Sequence, residues 1–265
     1  MGTSVDPFRP SNLAVPLWRY MRLDGLLATI TNKNLRLRLL HTLAKDDPFE
    51  TKVPRSVRES DALIIQQSDG SQIMMGDEPS VDDSARRFKD ISGKRSAVPR
   101  SAYACCWRWS DDESIAMWKL YCAKSDGIAI KTTFSELSKS LVQWPHRTVE
   151  LVQYINYNDA ESLRRHDDHR DPAIHKWTGF AHEQEVRALH CTESDYKRAC
   201  EDESFLPLKD YIDVPWKPED VIQAIVISPY TADCYETAAV DAIRRVSSLL
   251  AARVCRSDYK EIPEH

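Results

Sequence analysis

The chain has 265 residues, 42% hydrophobic and 29% charged, with acids and bases nearly balanced at a net charge of -5. That supplies an ordinary buried core and excludes a disordered chain, while the weak negative charge excludes broad attraction to nucleic acid or anionic membranes. No apolar run approaches the ~20 residues of a membrane-spanning helix, and Met1 to Pro10 lack a signal pattern, so a cytoplasmic protein with no membrane partner is expected.

Leu17-Trp18-Arg19-Tyr20 opens the patterned part as a strand, and Asp24 is placed to cap a helix with Leu26, Leu27 and Ile30 on its inner face. Asn32-Lys33-Asn34 turns the chain. Leu35, Leu37 and Leu39 then alternate with Arg36 and Arg38, the period of a strand with one buried and one solvated side. Asp46-Asp47-Pro48-Phe49-Glu50 closes this unit. From about 51 to 101 the chain turns polar, with Gly70, Gly76 and Gly93 as breakers. Arg86, Arg87, Lys89, Lys94, Arg95 and Arg100 make this stretch basic, either as a solvated helix face or as a phosphate contact. It reads as a variable, partly helical insertion or lid within a single domain spanning 1–265.

Tyr103 to Trp109 predicts a strand, and Ser110-Asp111-Asp112-Glu113 a capping box opening a helix with Ile115, Trp118, Tyr121 and Cys122 on one face, ended by Gly127. Ile128-Ala129-Ile130 is a strand, Ser135 caps a short helix through Leu141, and Val149 to Tyr157 is a further strand. Phe180 to His190 alternates again, with Glu183, Glu185, Arg187 and Leu189 on one side. Val221 to Ile227 reads as a continuous apolar strand. Thr231 or Asp233 caps a long helix with Val240, Ile243, Val246 and Leu250 as its buried stripe, and Val254 to Ser257 is a last short strand. Irregular alternation with half-solvated strands predicts an α+β fold, a mixed, mainly antiparallel sheet core with flanking helices.

The seven cysteines are odd in number, contain no C-x-x-C pair and include adjacent Cys105 and Cys106, which fits free thiols in a reducing compartment. Cys106 and Cys122 read as buried small hydrophobes. His166-Asp167-Asp168-His169 with Asp171, His175 and His182 has metal-ligand residue types, but the interspersed Arg164, Arg165 and Arg170 favour a charged surface loop. Asp46, Asp47 and Glu50 are a second acidic group that would suit a metal-dependent nuclease, while Pro48 and Phe49 favour a pinned turn. No metal is expected.

Four ordered segments resemble the bacterial family catalogued as domain of unknown function 2971. They are Leu17-Trp18-Arg19-Tyr20 and its helix; Asp46-Asp47-Pro48-Phe49-Glu50; Cys106-Trp107-Arg108-Trp109-Ser110 leading to Met117-Trp118-Lys119-Leu120-Tyr121 and Gly127-Ile128-Ala129-Ile130; and Lys176 through Glu183-Gln184-Glu185-Val186-Arg187. Ile225-Val226-Ile227-Ser228-Pro229 fits the family's ending. Asp46 and Ser228 depart from its usual Asn and Gly, and the stretch from Thr51 to Ser101 is this chain's own.

Glu183-Gln184-Glu185 on a strand, with an arginine or aromatic on the first strand and a serine after a middle strand, is similar to the ADP-ribosyltransferase superfamily. The resemblance implies that fold type, with NAD as substrate. A carboxylate beside the breaking ribose–nicotinamide bond stabilises the oxocarbenium-like cation, and a second one at i+2 faces the same way to orient the acceptor. On this reading Glu185 is the transition-state carboxylate and Glu183 its helper. Arg19 binds phosphate or ribose, Tyr20 and Tyr121 stack the nicotinamide, and Ser110 supports the pocket. The competing reading of Glu183, Glu185 and Arg187 is a solvated strand laced with ion pairs. The implied function is an intracellular toxin or phage-defence effector acting on a protein or nucleic-acid acceptor, with an antitoxin or defence-system partner. The alternative is a non-catalytic nucleotide or nucleic-acid binding module of a defence system.

Overall fold

The computed structural model describes residues 9–43, 96–122, 126–141, 147–156 and 172–260. The strands, in chain order, are β1 (Pro16–Arg22), β2 (Asn34–Leu39), β3 (Ala102–Trp109), β4 (Gly127–Thr133), β5 (Arg147–Leu151), β6 (Gln153–Ile155), β7 (His175–Trp177), β8 (Glu185–Cys191), β9 (Tyr211–Pro215), β10 (Ala224–Ile227) and β11 (Val254–Arg256). Nine of them form one sheet, and β6 and β7 form a separate parallel pair. Within the large sheet only β10 and β11 run parallel, so the α+β architecture with a mixed, mainly antiparallel sheet is the one the hydrophobic alternation predicts. No helix among the described residues is long and apolar enough to cross a membrane.

Strand β3 is the branch point. One edge pairs with β8 from Ala102↔Cys191 to Arg108↔Glu185. The other pairs with β2 only at Tyr103 and Ala104, and with β1 only at Arg108 and Trp109. Between these two short ladders, Cys105, Cys106 and Trp107 have no sheet partner on that edge, and the sheet opens.

Both faces of the sheet are covered. On one, Leu17, Leu35, Leu37, Tyr103, Trp107, Ile128, Ile130 and Val186 belong to the main core, with Leu26, Ile30, Phe134, Leu137 and Ile243 from the helices Leu23–Asn32, Phe134–Leu141 and Asp233–Val246. On the other lie two smaller apolar clusters. Trp18, Tyr20, Ala129 and Val226 pack under Met117 and Trp118, while Ala102, Ala104 and Leu189 pack under Val98, Ala173 and Ile174. The polar residues Cys106, Arg108, Glu185 and Arg187 occupy the ground between them.

Several local expectations are corrected. The helix Ile115–Tyr121 is capped by Ser114, whose side chain accepts from the Met117 N–H. Glu113 is instead buried, accepting from Trp118 Nε1 at 2.9 Å and Ser257 Oγ at 2.6 Å. Asp24 lies inside the first turn of its helix, and Thr133 rather than Ser135 accepts from the Glu136 N–H. Asp233 starts its helix without a side-chain cap, while Thr231 donates to the Ser228 carbonyl. Val246 is exposed rather than buried. The predicted strand from Val221 begins only at Ala224, because Pro218 starts a short helical turn through Val221. The strand predicted from Val149 to Tyr157 is broken at Val152. Residues 96–101 of the predicted insertion are helical, and Arg100 points inward to the Ala199 and Asp202 carbonyls rather than to solvent. The remainder of that insertion, the Asp46 to Glu50 segment and the His166 to Asp171 cluster lie outside the described residues.

Candidate ligand-binding site

The opening beside β3 is a cavity of about 360 Å³. Alternation along β2 aims Arg36 and Arg38 at it, opposite the buried leucines. β1 supplies Trp18, Arg19 and Tyr20, and β3 supplies Cys105, Cys106, Trp107 and Arg108. Tyr121 arrives from the helix Ile115–Tyr121, while Lys176, Phe180 and Glu183 come from the small β6–β7 unit and the 3-10 turns after it.

The floor is a buried ion network. Lys176 Nζ lies 2.7 Å from Glu183 Oε2 and 3.3 Å from Glu185 Oε2. Arg187 Nε donates to Glu185 Oε1 at 2.8 Å and its Nη1 to the Ala173 carbonyl at 2.6 Å. Tyr121 donates its hydroxyl proton to Glu183 Oε1 at 3.2 Å, and Tyr154 Oη accepts from the Glu185 backbone N–H at 2.8 Å. Burial by itself would raise the Glu185 carboxyl, but the charges of Arg187 and Lys176 outweigh it and hold the group down at about 2. It is ionised at neutral pH. Burial pushes the Tyr20, Tyr121 and Tyr154 phenols up, so they remain protonated there. Burial, reinforced by Glu185, also pushes the Cys106 thiol well up, which suits a cavity wall and not a nucleophile.

The expected strand from Phe180 to His190 is corrected at the point that matters most. Thr178–Glu183 is a 3-10 helix, Gln184 takes a left-handed conformation with φ 45°, and the strand starts at Glu185. Glu183 and Glu185 therefore do not share a strand face by alternation. They meet because the left-handed residue reverses the path and Lys176 inserts between their carboxylates. Arg108 Nη2 holds the Gln184 side-chain oxygen at 2.6 Å, which ties this strained turn to β3.

Of the residues singled out from sequence, Glu183, Glu185, Arg19, Tyr20 and Tyr121 all line the cavity, and Ser110 does not. Ser110 is a turn residue: its carbonyl accepts from Trp18 Nε1 at 2.9 Å and its hydroxyl from the Asp112 N–H at 3.3 Å. Tyr20 is a wall, packed edge-on to Trp118 at 4.8 Å and accepting from the Ser114 N–H at 2.9 Å. Tyr121 is 49% exposed and is the ring better placed for a flat ligand. The solvated-strand reading of Glu183, Glu185 and Arg187 is overturned by their burial, with Arg187 wholly enclosed. Lys176, Arg36, Arg38 and Arg108 were not assigned to the site from sequence. The signal was present in the arginine alternation of β2 and in the Lys176-to-Arg187 segment.

Among the described residues no group of three or more His, Cys, Asp or Glu side chains is arranged to hold a metal ion. Compared with known proteins, the chain matches no family model, no curated protein and no solved structure.

Proposed function

We propose that the cavity binds a nucleotide, with its phosphate on the arginines and its base against the aromatic walls. One observation carries this reading: Arg19, Arg36, Arg38 and Arg108 line the cavity, and among the described residues only Arg36 has a carboxylate partner, Asp213 at 2.7 Å. Lys176 and Arg187 are balanced by Glu183 and Glu185 on the floor, so the arginines leave a positive surplus in a chain of net charge -5. Such a surplus attracts an anion, and guanidinium forks match phosphate oxygens. Tyr121 and Phe180 add flat apolar surface. The volume of about 360 Å³ falls near the lower end of the ~300–1,000 Å³ usual for small-molecule sites, which suits a mononucleotide or one half of a dinucleotide.

ADP-ribosyl transfer from NAD is the second reading, supported by the convergence of Glu183 and Glu185 on this cavity. It ranks second on electrostatic grounds. A carboxylate stabilises an oxocarbenium ion through uncompensated negative charge, and that of Glu185 is already met by Arg187 and Lys176. The role of toxin or phage-defence effector belongs to this second reading, a defence-system setting is common to both, and each rests on the resemblance.

Thermal unfolding with adenosine 5′-monophosphate, NAD and adenosine separates the cases. A ligand that binds only the folded state at about 100 times its Kd adds ~2.7 kcal/mol. The two nucleotides should raise Tm and adenosine should do so far less, with the gain reduced in Arg38→Ala; equal or absent shifts for all three would reject nucleotide binding. Incubation with labelled NAD decides the second reading, which requires nicotinamide release that vanishes in Glu185→Gln.

A further inference from the structure

We infer that Arg108 is a positioning residue of the nucleotide site: it bridges the two walls that flank the base and does not bind the phosphate. This inference rests on the nucleotide reading and narrows it. Arg108 lines the cavity, yet each of its three guanidinium nitrogens is engaged or enclosed. Nη1 donates to the Asp112 carbonyl at 3.2 Å, Nη2 donates to Gln184 Oε1 at 2.6 Å, and Nε is buried out of a ligand's reach. The two acceptors belong to different walls. Asp112 precedes the helix Ile115–Tyr121, which delivers Tyr121, and Gln184 closes the 3-10 helix Thr178–Glu183, which carries Phe180 and Glu183. The same walls meet again inside the cavity, where the Tyr121 hydroxyl donates to Glu183 Oε1.

Each wall also has its own anchor to the sheet. The Ser114 N–H donates to Tyr20 Oη at 2.9 Å on the first, and the Trp109 N–H donates to the Gln184 carbonyl at 2.9 Å on the second. Those bonds keep the walls folded, and the guanidinium sets the distance between them. Its planar fork fixes two acceptors in one geometry, which the single ammonium of a lysine on a flexible stem does not. Release of the Gln184 side chain also frees a left-handed residue, φ 45°, to relax. Spacing matters because contact energy falls steeply with distance: a gap of ~0.5–1 Å forfeits about a quarter to a half of it. A wider slot therefore weakens the hold on a flat base and leaves the hold on the phosphate as it was.

The test is calorimetric titration of the full chain with adenosine 5′-monophosphate, and with ribose 5-phosphate, which keeps the phosphate and lacks the base, read by displacement of the monophosphate. Wild type should bind the monophosphate at least about tenfold more tightly, the scale of one stacked base. Arg108→Lys keeps the charge and loses the fork, so it should weaken the monophosphate about tenfold, the scale of one hydrogen bond to a charged group, and leave ribose 5-phosphate unchanged. Gln184→Gly removes the acceptor where glycine suits the backbone, and should do the same. The double variant should be no weaker than the weaker single, because both break one bridge. Equal weakening of both ligands by Arg108→Lys would make Arg108 a phosphate ligand and overturn the inference. So would an unchanged monophosphate affinity in folded variants, additive losses in the double variant, or equal wild-type affinity for the two ligands. Failure of the monophosphate to bind wild type would remove the nucleotide reading itself. If circular dichroism shows Arg108→Lys to be unfolded, Gln184→Gly alone carries the comparison of the two ligands.

Discussion

Glu185 is the most tightly constrained charge in the cavity floor, almost fully buried and met on two sides by Arg187 and Lys176. Removing one member of such a network leaves a charge in a poorly solvated place, which costs more than the intact pair contributes. Arg187→Met should therefore lose ~3–5 kcal/mol in urea unfolding. Acid should act on the same group. Its folded value, about 2, lies below the ordinary 4.5, so the unfolded chain binds its proton first on acidification. The resulting stabilisation, roughly 3 kcal/mol in scale, is fully present above the ordinary value and is lost as pH falls from there towards 2. Unfolding midpoints at pH 5 and pH 3 should show this loss in wild type and a smaller one in Glu185→Gln; equal slopes would place the acid sensitivity elsewhere. At this scale the acid pair was legible from sequence, because two glutamates and an arginine at alternate positions are conspicuous. Their burial was not, because it depends on Lys176 arriving from another strand and on Gln184 leaving the extended conformation.

Short elements position these residues, and their ends are set by local contacts that composition only partly reveals. The helix Ile115–Tyr121 has seven residues, too few to stand without packing, and it is held by the Ser114 cap and by Trp118 against Tyr20. Its C-terminal neighbour Cys122 packs on Gly127 at the start of β4, where an added Cβ would collide with the Cys122 Cβ and stand 2.9 Å from its sulfur and 3.1 Å from the Ser228 Cβ. Gly127→Ala should thus overpack this junction and cost ~1–3 kcal/mol, read as a lowered Tm with the sheet still formed; no loss would mean that Cys122 moves aside freely. Strand β2 was legible in full because Leu35, Leu37 and Leu39 alternate with arginines. The cap at Ser114 was not, since Ser110 to Glu113 carries a capping-box pattern whose glutamate is taken by Trp118 and Ser257. Ser257 lies 144 residues further on, beyond the reach of any local pattern.

For the molecule as a whole, the α+β class and the mainly antiparallel sheet followed from strand patterning, while the feature that makes the site did not. The opening beside Cys105, Cys106 and Trp107 exists because β1 and β2 each pair with a different end of β3, a long-range choice invisible in the periodicity of any one strand. It gathers arginines from β1, β2 and β3 into a positive pocket on a chain of negative net charge. The most direct test is equilibrium titration of the full chain with adenosine 5′-monophosphate over a series of salt concentrations. Saturable one-to-one binding that weakens as salt rises, and falls sharply in Arg38→Ala, is predicted. Absence of saturable binding even at low salt, with wild type folded, would contradict the nucleotide pocket.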